Sequence, residues 1–431
     1  MLAVFRGSQV LQKSYFRNST ADLTSNWIEL AFQILTIVAF VNSILRGIRT
    51  PGRWAATHLL FNYDYGFTKR ALLGSLVGTL HISSLYHYPF FFWFAAVIFM
   101  VDTLLLMMLL AKMVHIDETI PKLVAFLFAS SLSPVFFAHS IGYFDDLALL
   151  VALIALMIEG FYLRSLFVGT FFFTGLFVHE GGFLLFFPLL FLRFGVDLVT
   201  RLTWQRLATL AGLTLCLAVA DVILGRSHLD PTSAEAMHRA LQLRADYHLR
   251  HDAFEVLTRN IEDNWRVTTE LWRDAEFREY FFSSLWVTLP TVFYLLWNSW
   301  TAVSASRYGS ILRLLVASAS LAPLSLHLLG WDFARWDTLA ITTSFLAFVI
   351  VKLYLPPASN TERDTSFSHS LIAPAILIVL NLSSTIVLFD GYSVQTFPYG
   401  KHFNDIINIV SGRAPFPPRP ETCFPEEPQC P

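Results

Sequence analysis

Apolar runs of roughly 20 residues, the length needed to cross the hydrocarbon core of a bilayer, recur along this chain from its N-terminal quarter to within about 40 residues of its end. Backbone N–H and C=O groups inside such a slab must be satisfied within the segment, which leaves helices as the form each run can take. No soluble domain of ordinary size separates the runs. The composition agrees, at 55% hydrophobic and 14% charged residues, against about 45–50% and 25% in soluble globular proteins. The sequence therefore predicts an all-α, polytopic integral membrane protein with a single transmembrane domain over residues 1–431.

Apolar windows place about eleven spans, at Trp27–Leu45, Pro89–Met113, Pro121–Ala138, Leu147–Tyr162, Leu166–Val178, Phe183–Leu192, Leu207–Gly225, Ser283–Trp300, Ile311–Leu329, Thr338–Leu355 and Leu371–Phe389. The fifth and sixth are short and meet at His179-Glu180, which predicts a re-entrant or broken pair. The first run has no small-residue cleavage site behind it and is expected to be an anchor. Of the three cysteines, Cys216 falls inside a span and reads as a small core residue, while Cys423 and Cys430 lie in a Pro-rich tail at 390–431 and could close a small disulfide loop outside the cytoplasm.

Orientation follows from the short connections. Those around Lys112–Lys122, Gly160–Ser165, Arg193–Arg206, Asn298–Arg313 and Lys352–His369 carry about ten Lys or Arg, whereas the turns at His139–Asp146, His179–Gly182 and Gly330–Asp337 carry about one. The first set is expected on the cytoplasmic side. This puts the N-terminus inside, the C-terminus outside, and two longer segments, 47–88 and 226–282, on the outer face of a bacterial cytoplasmic (inner) membrane. The first contains an amphipathic pattern from Phe67 to Leu80, and the second reads as a helical cap over an outer mouth. A net charge of −2 and the lack of a basic stripe with interleaved aromatics give no reason to expect nucleic acid.

On that topology four polar clusters share the outer side: 62–70, 142–146, 179–182 and 330–337. Ionisable groups at the edge of the hydrocarbon are costly unless paired or wetted, so their gathering points to a site. Asp64 is positioned to take a proton from a nucleophile while Lys69 and Arg70 hold a phosphate; alternatively it caps the surface helix and the cations reach lipid headgroups. Asp145 and Asp146 open the fourth span, where one acid is explained by the helix dipole and two suggest a hard cation such as Mg or Mn, or a sugar contact. His179-Glu180 resembles the start of a zinc-protease helix, but Phe183 stands where the second histidine belongs. The pair is left as a hydrogen-bonding tip, or, through Glu180 with Asp145 and Asp146, as part of a metal set. Trp331, Asp332, Arg335, Trp336 and Asp337 combine a planar guanidinium that forks phosphate with indole faces that stack on sugar or sit at headgroup level. An aromatic belt with an Arg–Asp pair is the plainer account of the same residues, and His139 and His327 read as core or interface histidines.

Laid out this way, the chain resembles the GT-C superfamily of polytopic membrane glycosyltransferases. The resemblance lies in an acid in the first outer segment ahead of a surface helix (Asp64), further acids in the next outer loop (Asp145, Asp146), and a basic, aromatic late loop (Arg335 with its tryptophans). It implies transfer of a sugar from a polyprenyl-phosphate-linked donor to a lipid, glycan or protein acceptor, with Asp64 as base and Lys69, Arg70 or Arg335 on the donor phosphate. The chain lacks the Asp-Glu or Asp-x-Asp pair that several branches carry at the first site, which leaves metal dependence open. Two other functions fit the layout. A polysaccharide polymerase or ligase would rely on Arg239, Arg244, His248 and Arg250, and a transporter or lipid flippase would use ionisable groups along a pathway, such as Asp102 and Asp221.

Overall fold

A computed structural model of the chain describes residues 19–80, 83–304, 306–356, 371–384, 394 and 401–411. These residues form helices and no strands. In order they are α1 (Ser19–Gly47), α2 (Arg53–Leu59), α3 (Leu72–Thr79), α4 (Tyr88–Val114), α5 (Thr119–Ser130), α6 (Leu132–His139), α7 (Phe144–Met157), α8 (Phe161–Phe167), α9 (Phe173–Leu176), α10 (Gly182–Thr200), α11 (Trp204–Arg226), α12 (Pro231–Gln242), α13 (His251–Thr258), α14 (Ile261–Leu271), α15 (Ala275–Ser304), α16 (Gly309–Leu321), α17 (Phe333–Tyr354), α18 (Ile372–Ser383) and α19 (Lys401–Val410). Short 3-10 turns at Tyr63–Tyr65, Ser83–Tyr86 and Ala322–Leu328 and a π-turn at Val168–Phe172 complete the set.

Eight helical stretches among the described residues are long and apolar enough to cross a bilayer, and the protein is a multi-pass membrane protein. The helices described at the other three expected spans are shorter than a full crossing. Helix α7 has 14 residues, Phe161–Leu176 is a short helix carrying the π-turn, and α18 has 12 residues. Part of the span expected at Leu371–Phe389, the tail cysteines Cys423 and Cys430, and most of 390–431 lie outside the described residues.

Two expectations need correction. The sixth span does not stop at Leu192: α10 runs on through Arg193 and Gly195 to Thr200, over 19 residues. It continues because the charges that seemed to end it are neutralised inside the bundle. Asp197 bonds Arg193 one turn away and Arg164 of α8, and Arg193 lies 3.9 Å from the Tyr354 ring. The sixth span is thus a full helix and not half of a re-entrant pair. The second correction concerns Cys216, which is exposed on the outside of α11 and takes no part in the core.

Helix α17 is the axis of the bundle. Nearly every side chain from Phe333 to Val351 is buried, and α15, α16, α10 and α5–α6 pack around it. By contrast α4, α11 and α15 turn rows of large apolar side chains outward, among them Trp93, Met100, Leu104, Leu215, Val219, Trp286 and Phe293. In water such faces would be unstable; in lipid they are solvated. The two ends of the bundle differ chemically. One carries the Arg164–Asp197–Arg193 group with Lys352–Glu118 and His115–Glu29. The other gathers the described residues of 48–80 and 83–87, the turns at 140–143 and 177–181, the region 227–274, and the turn at 329–332.

At that second end, the expected helix of the first long segment begins later than Phe67, at Leu72. Gly74 lets α3 lie directly on the preceding turn, since a Cβ there would be 2.2 Å from the Phe61 carbonyl oxygen. The region 227–274 forms the helical cap, α12 to α14. It is stitched to the first segment by Tyr247 Oη donating to the Ala56 carbonyl (3.1 Å), by the Arg250 N–H to Thr57 Oγ1 (3.1 Å), by Lys69 Nζ to the Arg259 carbonyl (2.7 Å), and by Phe61 against Phe254.

Candidate functional site

Beneath the cap lies a cavity of about 1000 Å³. Its wall mixes apolar groups (Leu184, Leu185, Val222, Leu326, Leu329) with eight Lys and Arg: Arg49, Arg53, Lys69, Arg70, Arg226, Arg250, Arg259 and Arg335. Six acids share the lining: Glu180, Asp221, Asp252, Glu255, Glu262 and Asp332. Five of these pair with cations of the same wall, in Arg70–Glu180, Arg226–Glu262, Arg250–Asp252, Arg259–Glu255 and Arg335–Asp332.

The deepest part of the site is a closed ring of side chains from α2, the segment after it, α7, the turn before α10, and α17. Arg335 donates through Nη2 to Asp145 Oδ1 (2.8 Å) and through Nε to Asp145 Oδ2, a bidentate fork, and through Nη1 to Asp332 (2.9 Å). Asp145 Oδ1 also pairs with His179 Nε2 at 2.9 Å, and His179 Nδ1 lies 3.8 Å from Glu180 Oε2. Glu180 takes a second bidentate fork from Arg70, Nη2 to Oε1 at 2.8 Å and Nε to Oε2 at 3.0 Å. Arg70 Nη1 is 3.4 Å from His58 Nδ1. His58 lies tilted against Trp54 (3.7 Å between ring centres), Trp54 stacks on Tyr143 (5.2 Å), and the Arg335 guanidinium sits 5.1 Å from the Tyr143 ring, which returns to the start.

Local backbone geometry serves this ring. Arg70 is, among the described residues, the non-glycine residue held at positive φ (63°), an arrangement that costs free energy and persists where surrounding contacts fix it; here Glu180 supplies them. Gly142 (φ 91°) makes the tight turn ahead of α7, where a Cβ would fall 2.7 Å from Phe91. Its N–H donates to Asp146 Oδ2 at 3.1 Å, so the two adjacent acids separate in role: Asp146 closes the turn while Asp145 enters the ring.

Burial disfavours a charged Glu180, yet Arg70, with His179 and Lys69, holds its carboxyl well below the usual range. Burial, reinforced by the Arg70 guanidinium, keeps the His58 imidazole well below its ordinary pKa and therefore neutral. The His58 Nε2 and His179 Nδ1 atoms find no hydrogen-bond partner among the described residues. Burial also lowers the Lys69 ammonium to about 8.

The structure brings together most of the residues singled out in the sequence. Lys69, Arg70, His179, Glu180, Trp331, Asp332, Arg335 and Trp336 line the cavity, and Asp145 stands directly behind Arg335. Three are placed elsewhere. Asp64 is exposed in the Tyr63–Tyr65 turn, outside the lining, with its N–H donated to Asn62 Oδ1. Asp337 is fully buried and binds His327 Nε2 (2.9 Å) and Ser284 Oγ (2.6 Å), so it joins α17 to its neighbours. Asp146 faces the Gly142 turn. The metal set expected from Asp145, Asp146 and Glu180 is not assembled, because each carboxylate is committed to a guanidinium or to the backbone. Of the alternative set, Arg250 reaches the cavity, whereas Arg239 and Arg244 are exposed on the cap, beside Glu235 and Tyr86.

Two groups of the site were not assigned to it from sequence. Trp54 and His58 carry no pattern that separates them from interface aromatics. Asp221, noted only as an acid inside a span, lies on α11 at the cavity wall within electrostatic reach of Glu180 and His179. It forms no hydrogen bond or ion pair among the described residues. An unpaired carboxylate in a membrane helix is a strong signal of function. No protein-family model, curated protein or solved structure matches this chain.

Proposed function

We propose that the protein is an extracytoplasmic glycosyltransferase of the GT-C type, which moves a sugar from a polyprenyl-phosphate-linked donor onto a lipid, glycan or protein acceptor. The observation that carries this reading is the cavity itself: cation-rich, flanked by apolar wall, closed by a cap, and holding one unpaired acid, Asp221. The basic short connections at the opposite end support a cytoplasmic N-terminus and an outward cavity in a bacterial inner membrane. A donor entering from the lipid would set its phosphate among the cations, with Lys69 and the remaining N–H groups of Arg70 nearest the ring.

In this reading the base is Asp221 instead of Asp64, since Asp64 stands outside the lining. Asp221 accepts the proton of the acceptor hydroxyl. The acceptor oxygen bonds to the anomeric carbon as the anomeric C–O(phosphate) bond breaks, and the polyprenyl phosphate leaves with the electron pair. Cations of the wall stabilise the charge that develops on that phosphate, where preorganised donors have most effect. Membranes containing the protein are to be assayed with a panel of short-chain polyprenyl-phosphate pentoses and hexoses. Asp221→Asn should lower transfer by roughly 100-fold or more, with folding retained. Full transfer by that variant together with a dead Asp64→Asn would return the base to the first segment.

Asp221 also favours a second reading, because a lone carboxylate facing a cavity from a membrane helix suits a proton-coupled carrier or lipid flippase. Accumulation of substrate in proteoliposomes without a covalent product would decide for transport.

A further inference from the structure

Away from the cavity, the cap carries a cluster that the proposed reaction does not use. On α12, Glu235 and His238 stand one turn apart, and His251 at the start of α13 faces them. One ligand atom from each of the three lies within 4.8 Å of the others. His251 Nε2 is 3.4 Å and His238 Nδ1 3.9 Å from the same carboxylate oxygen, Glu235 Oε2. A tetrahedral Zn²⁺ with bonds of about 2.0–2.1 Å holds neighbouring donor atoms roughly 3.3 Å apart. The two imidazole-to-carboxylate distances need to close by roughly 0.6 Å or less and the distance between the imidazole nitrogens by roughly 1.5 Å at most, within the reach of side-chain rotation.

The surroundings fit a ligand set. Arg239 Nε donates to the other carboxylate oxygen, Glu235 Oε1, at 2.8 Å, which orients the carboxylate and leaves Oε2 for an ion. The far nitrogen of His251, Nδ1, lies 3.9 Å from Glu255 Oε1, the outer carboxylate partner that metal-bound histidines use. The His238 ring is fixed against Phe254 (4.7 Å) and edge-on to His251 (5.4 Å). Glu235 and His251 are solvent-accessible, so an ion has a way in and water can complete its shell.

We propose that Glu235, His238 and His251 form a binding site for a divalent transition metal with imidazole preference, Zn²⁺ above all, that staples α12 to α13. Two imidazoles and one carboxylate disfavour Mg²⁺ and Ca²⁺, which take oxygen ligands. Since α13 and the residue after it carry Glu255 and Arg259 into the cavity wall, the staple fixes the roof of the cavity.

The test uses the full chain in detergent micelles, tag removed and stripped with EDTA. Calorimetric titration with ZnCl₂ should show one saturable site, and thermal unfolding should shift upward with Zn²⁺ but not with MgCl₂. His238→Ala, His251→Ala and Glu235→Gln should each weaken binding by more than about 100-fold, beyond the loss typical of an outer partner. The exposed His228→Ala serves as control and should bind as the wild type. Co²⁺ loading of wild type should give the intense visible bands of a four-coordinate site, absent in His251→Ala. No Zn²⁺ binding by the wild type, or equal binding by the wild type and all three variants, would overturn the proposal. If a histidine variant fails to fold, Glu235→Gln and the Co²⁺ spectrum of the wild type decide it.

Discussion

The Arg335–Asp145 fork is the link of the ring whose removal has the most predictable cost. Both side chains are under a tenth exposed (8% and 6%), and breaking a buried pair by deleting one partner typically costs about 3–5 kcal/mol. The two deletions should differ. In Asp145→Asn, Arg335 keeps Asp332 at 2.9 Å, so the loss should fall at the low end, about 3 kcal/mol. In Arg335→Met, Asp145 keeps only the His179 ring, at 2.9 Å, and the loss should approach about 4 kcal/mol. The double variant strands neither charge. It should cost no more than the worse single change, leaving a coupling of about 3 kcal/mol. Denaturant titration in micelles, read by tryptophan fluorescence, measures all four proteins under one condition. If the two losses add to within about 0.5 kcal/mol, the groups do not share a desolvated contact and the ring is not the unit described here.

Lys69 gives a pH-dependent expectation. Its folded pKa of about 8 lies below the ordinary 10.5, so the unfolded chain binds the proton more tightly than the folded one. The penalty, roughly 3 kcal/mol from a shift of this size, is fully present below about pH 8 and fades as the pH rises toward the unfolded value. The stability difference between wild type and Lys69→Met should therefore narrow between about pH 8 and pH 10.5, by up to about 1.4 kcal/mol per pH unit; a constant difference across that window would contradict the burial of this ammonium. Gly142→Ala should destabilise by about 2–3 kcal/mol, since the turn needs positive φ and the new methyl meets Phe91. Pairing it with Phe91→Leu should recover only the steric part, and complete recovery in thermal unfolding would show that the backbone tolerates alanine there.

What the sequence made legible was set by range. Period and length located the membrane helices, since each satisfies its own backbone, and loop polarity identified the segments that meet at the cavity. Arg335 was recognisable because a guanidinium between two tryptophans suits a phosphate or sugar contact, although an aromatic belt with an Arg–Asp pair accounts for the same residues. The partners were not legible. Arg335 and Asp145 are 190 residues apart and Arg70 and Glu180 are 110 apart, and nothing local distinguishes a clamp awaiting phosphate from one already closed on a carboxylate. The same blindness ended α10 too early at Arg193, whose neutralising partner lies one turn ahead while the third member, Arg164, sits on another helix. It also favoured Asp64, which has the better local context, over Asp221, whose place at the cavity wall appears only when its helix turns it there.

The ring of eight side chains has a consequence that follows from its closure alone. In an open chain of contacts, losing one link divides the members into two groups that can drift apart. A closed circuit leaves every member joined by the other route. Arg335 and Arg70, which line the cavity from opposite arcs of the ring, are therefore joined by two paths, one through the polar side chains of Asp145, His179 and Glu180, the other aromatic through Tyr143, Trp54 and His58. Salt screens the ion pairs of the first path more than the ring contacts of the second, so a loss along one path leaves the two guanidinium groups tied by the other.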